Sequence, residues 1–391
     1  MTVLFCHDHR FVIRDGRVWT TGALDAETFA AYERVFGPVT VAARLHALAP
    51  GEDPAKLSLT FDDVDRLVAI PNLSSPLNLV RPDPAAVRKL RAAVAATDIV
   101  IARLPSEIGL LALREARRAG KPAIVEVVGS WIDALSRHGG RGAKLYAPVA
   151  EWRMRRAVAR ADYVHYVSAE FLQLRYPNDK MTVGVSDVMV ERPGPEVLEG
   201  RLARIGDARP LVFGMVAVIS NRQKGVDIAI KALAEARRTD PGLELKVLGP
   251  GDPEPWRAVA AEQGVADAVE LCGPAPRGDA VLDWIDGIDV YVQASFQEGL
   301  PRALIEAMRQ ATPALASTAG GTPELVREPW LHTPGDVAKL AAQMLAVRPA
   351  EVRAEMARTN FATALPYSLD AVTRRRETFW RAVMADAGIA A

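Results

Sequence analysis

The chain is poor in three things. Of its 391 residues only two are cysteine, Cys6 and Cys272, far apart and each in or beside an apolar run. That excludes a disulfide framework and suits buried free thiols in a reducing cytosol. Net charge is also missing, because 48 Lys and Arg cancel 48 Asp and Glu. No overall field therefore draws the chain to nucleic acid. Finally, no run of 18 apolar residues exists, so nothing is expected to span a bilayer. The start, Met1-Thr-Val-Leu-Phe-Cys-His7, has no basic lead and no long apolar core. It does not read as a secretory signal, which predicts a cytoplasmic protein. What is present is ordinary globular material: 49% hydrophobic and 25% charged residues, in a length that suits two domains.

Short apolar runs alternate with segments of helical period. In the first half the runs are Val3–Cys6, Val39–Ala43, Ile99–Ala102, Ala123–Val128 and Tyr163–Val167. In the second they are Leu211–Ile219, Leu243–Leu248, Val269–Cys272, Val290–Val292 and Ala314–Ala316. Val226, Ala229, Ile230, Leu233 and Ala236 recur at the 3.6-residue period between two of them. Such alternation predicts an α/β chain with two Rossmann-like, doubly wound parallel sheets. Two prolines and a glycine in Glu191-Arg-Pro-Gly-Pro-Glu196 break both periods and mark a hinge. The expected division is 1–192, 193–366, and a final helix over 367–391 that contains Trp380.

The densest chemistry lies in Glu298-Gly-Leu-Pro-Arg-Ala-Leu-Ile-Glu306. The first carboxylate sits in a Gly/Pro loop after an apolar strand, and the second about one turn into the helix that follows. A helix start offers unpaired N–H groups and partial positive charge to a phosphate, while carboxylates accept hydrogen bonds from sugar hydroxyls. One segment can thus hold both halves of a nucleotide sugar, although two solvated glutamates at a loop–helix junction would look the same. A second glycine turn, Thr318-Ala-Gly-Gly-Thr-Pro-Glu324, follows twelve residues after Glu306, and Arg222-Gln-Lys-Gly-Val-Asp227 precedes the pair.

In order and spacing, these three segments resemble the C-terminal half of the retaining, GT-B-fold glycosyltransferases of family 4, with their E-x7-E signature. Arg103-Leu-Pro-Ser106, Lys121-Pro-Ala-Ile-Val-Glu-Val-Val-Gly129 and Phe171-Leu-Gln-Leu-Arg-Tyr-Pro177 resemble enzymes of bacterial capsular and exopolysaccharide assembly. The resemblance implies two domains facing across a cleft, the N-terminal one binding the acceptor and the C-terminal one the nucleotide sugar. The last helix would cross back to the N-terminal domain. It also implies transfer of a sugar from a UDP or GDP donor to a glycan, polyprenyl-diphosphate-linked in the leading reading. No cofactor or metal is expected. A small-molecule glycosyltransferase, a nucleotide-sugar epimerase and a non-catalytic sugar-nucleotide-binding protein remain alternatives.

Charge that builds on a leaving diphosphate must be met by fixed donors. Lys224 and Arg222 are the candidates, with Gly225 permitting close backbone approach. The commoner family pattern has an arginine five residues before the lysine, where Ile219 stands here. Glu298 would accept from the donor sugar, backbone around Gly299, Leu300, Pro301 and Arg302 would face sugar and distal phosphate, and Glu306 would hold the ribose diol. Gly249 and Gly273 would border the base. In the first half, Gly22 can bring N–H groups to the diphosphate or merely turn the chain. His7 and His9 flank Asp8 at a strand end, as metal ligands on paper or as acceptor contacts or caps, but no third ligand is evident. The family's usual N-domain histidine is absent, with Val128-Gly129 in its place. Asp133 and His138 are the nearest polar substitutes on the acceptor side, together with Arg103. Glu126 can be structural or functional. Trp152, Arg153, Arg155, Arg156 and Arg160, with Lys144 nearby, give a helix a cationic face: a solvated surface, or a peripheral contact at the inner face of the plasma membrane.

Overall fold

The computed structural model describes residues 1–22, 24–46, 57–75, 78–79, 82–132, 135, 141–206, 210–220, 222–276 and 278–389. The chain forms two compact units, Met1–Val185 with Thr373–Ala391, and Ser186–Val372. The observed division therefore falls just before the Pro/Gly stretch and just after the start of the last helix.

In the first unit, β1 (Val3–Arg14), β3 (Val39–Leu45), β5 (Leu67–Ala69), β6 (Ile99–Leu104), β7 (Ala123–Val127), β8 (Tyr163–Tyr166) and β9 (Met181–Gly184) run parallel in the order β5-β3-β1-β6-β7-β8-β9. Strand β1 does not end at Cys6. Its pairing with β3 shifts between Cys6 and Arg10, and it then turns into an antiparallel hairpin with β2 (Arg17–Thr20), which in turn pairs β4 (Ser58–Phe61). His7, Asp8 and His9 occupy that irregularity, and Thr20-Thr-Gly22 follows the second strand rather than the first.

Helix α1 (Ala26–Phe36) starts at Asp25, whose carboxylate accepts from the Thr28 N–H. Its apolar face, Phe29, Tyr32 and Phe36, is spaced three and four residues apart, so it points one way, into the core. Helices α2 (Pro84–Ala95), α3 (Glu107–Arg118), α4 (Arg141–Ala159) and α5 (Phe171–Arg175) follow in this unit. The last helix, α13 (Leu369–Asp386), contributes Trp380, fully buried and stacked on Tyr32 at 4.7 Å between ring centroids. Burying a large aromatic stabilises by a few kcal/mol, which makes the chain's final segment part of the first core.

The second unit holds six parallel strands, β10 (Val212–Val216), β11 (Glu244–Leu248), β12 (Val269–Gly273), β13 (Val290–Gln293), β14 (Ala314–Ser317) and β15 (Leu331–His332), in the order β12-β11-β10-β13-β14-β15. Helices α6 (Pro195–Arg204), α7 (Val226–Arg237), α8 (Glu254–Glu262), α9 (Asp279–Asp286), α10 (Arg302–Arg309), α11 (Val337–Ala346) and α12 (Ala350–Ala364) complete it. Strand β10 is shorter than its apolar run, because Ala217 and Ile219 donate to Leu248 and Pro250 of the neighbouring segment beyond the regular pairing. In both sheets the winding reverses beside the first strand of the unit: at β1/β6 in the first and at β10/β13 in the second. Open α/β sheets bind ligands at the carboxyl ends of strands at this reversal. No helix among the described residues is long and apolar enough to cross a membrane.

Candidate functional site

In the second unit, the loops after β10 and β13 carry Lys224 and Glu298. These are the two strands that flank the reversal, and the side chains meet there, with Nζ 2.6 Å from Oε1. Two glycines fix the meeting. Gly225 has φ 69°, and a Cβ there would overlap the Ala294 carbonyl oxygen. Gly320 has φ 59°, and a Cβ would overlap the carbonyl of Glu298 itself. Both positions combine a left-handed backbone with a touching main chain, so only glycine fits. Phe296 N–H donating to Gln223 O (2.8 Å) and Gly321 N–H to Gly299 O (2.7 Å) tie the same three loops together.

A residue that the sequence reading passed over completes the arrangement. Gln293, buried at the end of β13, donates to Glu298 Oε1 at 2.6 Å and to Ser295 Oγ at 2.8 Å, and accepts from Tyr291 OH at 3.0 Å. Burial pushes the Tyr291 phenol up, and the Glu298 and Glu306 charges add to this. Glu298 is held tightly, with its side chain 9% exposed, whereas Glu306 lies in α10 at 22%. Helix α7, starting after Gly225, and α10, starting after Pro301, have no side-chain cap. Their first N–H groups stay available to an anion. Arg222 is exposed two residues before Lys224 in a short 3₁₀ turn, and Arg302 is exposed at the start of α10. Gly249 donates to Gly273 O at 2.8 Å, which joins the two loops expected to border the base. Gly299, Leu300 and Pro301 form the turn between Glu298 and α10.

In the first unit the reversal carries His7, Asp8, His9 and Arg103. His7 Nδ1 faces Arg103 O at 3.1 Å, and His9 Nε2 faces Thr20 Oγ at 2.6 Å. The two histidines are therefore fixed separately, to backbone and hydroxyl. Burial, followed by the Arg103 charge, holds His7 down to about 3. Burial with Arg44 and Arg103 holds His9 down to about 4. Asp8 accepts from Glu107 N–H at 2.6 Å, so it serves the start of α3. Gly22 donates its N–H to Thr20 Oγ at 2.9 Å and packs against the His9 ring.

Glu126 cannot meet an acceptor directly, because it is fully buried. Tyr32 OH donates to both its oxygens at 2.9 Å, His165 Nδ1 lies at 3.3 Å, and Arg103 donates at 3.3 Å. Burial alone would raise this carboxyl, but the His165 hydrogen bond and the His165, Arg103 and Arg376 charges outweigh it and bring it to about 2. Its role is to anchor Arg103 beneath the strand ends. Asp133 and His138 lie outside the described residues.

Residues 210–348 match the family model described as glycosyl transferases group 1. Protein CapJ of Staphylococcus aureus is 27% identical over 383 residues, covering 96% of this chain and 94% of its own. The amylovoran biosynthesis glycosyltransferase AmsK of Erwinia amylovora is 31% identical over 153 residues, 37% of each chain. The crystal structure of Anabaena Alr3699/HepE in complex with UDP superposes with a TM-score of 0.66 at 17% identity, covering 98% of this chain and all of that one. The fold is GT-B. Together with the matched family model, these likenesses support a GT-B glycosyltransferase.

Proposed function

We propose that the protein is a retaining glycosyltransferase of the E-x7-E type. It takes a sugar from a UDP or GDP donor to a glycan acceptor in bacterial polysaccharide assembly, without a metal. The observation that carries this is the Lys224–Glu298 pair, fixed by interlocked glycine loops at the reversal of the second sheet and flanked by two uncapped helix starts. A cation, a carboxylate and free N–H groups at one strand edge fit a sugar diphosphate. The Anabaena neighbour in complex with UDP and the amylovoran biosynthesis relative agree with that chemistry.

On this reading the donor's diphosphate draws Lys224 from Glu298 and is held by Lys224, Arg222 and the N–H groups opening α7 and α10. Glu298 then accepts from the sugar, and Glu306 from the ribose hydroxyls. The bond between the anomeric carbon and the diphosphate breaks, and the acceptor oxygen bonds to that carbon on the same face. The acceptor's proton passes to an oxygen of the departing diphosphate. Among the described residues no nucleophile–base pair is built for a double displacement, because both carboxylates are assigned to hydroxyls and Glu126 is fully buried. An NMR time course with a panel of UDP- and GDP-sugars, run with and without EDTA, tests this. The first-formed product should keep the donor's anomeric configuration, and turnover should survive EDTA. Inversion would remove the retaining mechanism, and metal-dependent turnover the metal-free one.

Peripheral membrane contact belongs to the same proposal. Leu145, Val149 and Trp152 recur at four and three residues on α4 and are 81%, 50% and 59% exposed, an apolar stripe on its solvent face. Lys144, Arg155, Arg156 and Arg160 are exposed around it. That combination suits anionic headgroups, where each basic residue near the surface contributes about 1 kcal/mol. The chain should sediment with phosphatidylglycerol vesicles and much less with phosphatidylcholine. Trp152→Ser with Leu145→Ser should lose most of that binding, and unchanged binding would show that the stripe faces water.

A further inference from the structure

A cavity of about 430 Å³ opens on the first unit among Arg10, Arg44, His46, Ile70, Pro71 and Asn72. It sits where the parallel stretches of β1, β3 and β5 end, on the ligand-binding edge of the sheet, and its volume suits a small ligand. Arg10 and Arg44 are register partners on adjacent strands. Like charges directly opposite each other destabilise a sheet, so a pair retained there calls for a counter-charge.

The two arginines are prepared differently. Arg44 is half-buried, and it is aimed by donating from Nε to Asp8 O at 2.7 Å and from Nη1 to Asn72 Oδ1 at 3.3 Å. The Arg10 side chain is exposed and makes no hydrogen bond or ion pair among the described residues. Asp8 offsets part of the Arg44 charge, but one of its carboxylate oxygens is engaged by the Glu107 N–H. Burial, with the Arg10 charge adding to it, lowers Arg44 from its usual value, and only Asp8 opposes the two.

We propose that this cavity is an anion site for a phosphoryl group and that, resting on the glycosyl-transfer reading above, it receives the diphosphate of the acceptor. Arg10 and Arg44 present two planar donors, a geometry that matches phosphate oxygens in pairs, and the apolar floor of Ile70 and Pro71 suits the first carbons beyond them.

Titration calorimetry of the full chain with UDP, and then with inorganic pyrophosphate or farnesyl diphosphate while saturating UDP fills the donor site, tests it. Pyrophosphate and farnesyl diphosphate should both bind, and Arg10→Gln should weaken each by about tenfold, the loss of one charge-assisted contact. Arg10→Glu should abolish both without lowering the melting temperature, because Arg10 is exposed and a glutamate there would face Arg44 with the opposite charge. UDP affinity should be the same in all three proteins. Pyrophosphate binding that is indifferent to Arg10→Glu would overturn the site. An equal loss of UDP binding would overturn the acceptor assignment, since the pocket would then serve the donor. Nucleotide-sugar turnover is measured separately. Its absence, with Arg10-dependent pyrophosphate binding intact, would sink the glycosyl-transfer reading and leave the anion site standing.

Discussion

Replacing Lys224 with alanine should lower transfer turnover by roughly two to three orders of magnitude at saturating donor, the usual cost of removing one fixed donor to a developing charge. The fold should survive. The lysine side chain is 32% exposed, so its removal opens no cavity in the core. Glu298 also keeps its Gln293 hydrogen bond. Glu306→Ala provides the contrast, because the ribose is remote from the breaking bond. It should raise the donor's KM with a much smaller effect on kcat. Steady-state kinetics on the two variants, with circular dichroism as the folding control, separate these expectations. Near-normal turnover by a folded Lys224→Ala would remove the phosphate assignment.

The second large effect belongs to Glu126. Glu126→Ala leaves Arg103, His165 and the Tyr32 hydroxyl facing a buried space without their common acceptor. Deleting one partner of a buried charge network costs about 3–5 kcal/mol, and this loss should appear in the unfolding transition of the first unit. Glu126→Gln, which keeps an acceptor for Tyr32, should lose less. The pH sense follows from the depressed carboxyl. Its contribution is complete above the unfolded value near 4.5 and is lost as pH falls towards about 2. The destabilisation by Glu126→Ala should therefore shrink over that window. Denaturant titrations at pH 7 and pH 3 measure it, and a difference of the same size at both would show that packing, not charge, is what the alanine removes.

The parts of the fold that could be read in advance were those whose burial is complete. Strands such as Ile99–Leu104 and Ala123–Val127, covered on both faces, are written as near-continuous apolar runs. The strands that escaped notice, β2, β4, β5, β9 and β15, run from two to four residues and lie mostly towards the margins of their sheets. There a short run carries too little period to register. The extension of β1 through His7, Asp8 and His9 was hidden for the same reason, since polar residues at a pairing irregularity look like a loop. In the site, Lys224, Glu298 and Glu306 were visible because charged residues beside glycines stand out. The partners were not. Nothing in a strand that reads Val-Tyr-Val-Gln announces that its glutamine will bridge a tyrosine and a glutamate, and a glycine declares its need for room without naming the carbonyl that fills it. The arginines facing each other across β1 and β3 depend on a register that only pairing reveals.

The stacking of Trp380 on Tyr32 has a temporal side. During synthesis, α1 emerges early, but the residues that close the core around it follow only after all 187 residues from Ser186 to Val372 have been made. At ribosomal rates of roughly 5–20 residues per second, that interval is on the order of ten to forty seconds. Throughout it, the aromatic face of α1 lacks its last cover while a complete second unit passes by. The unit that is begun first is finished last.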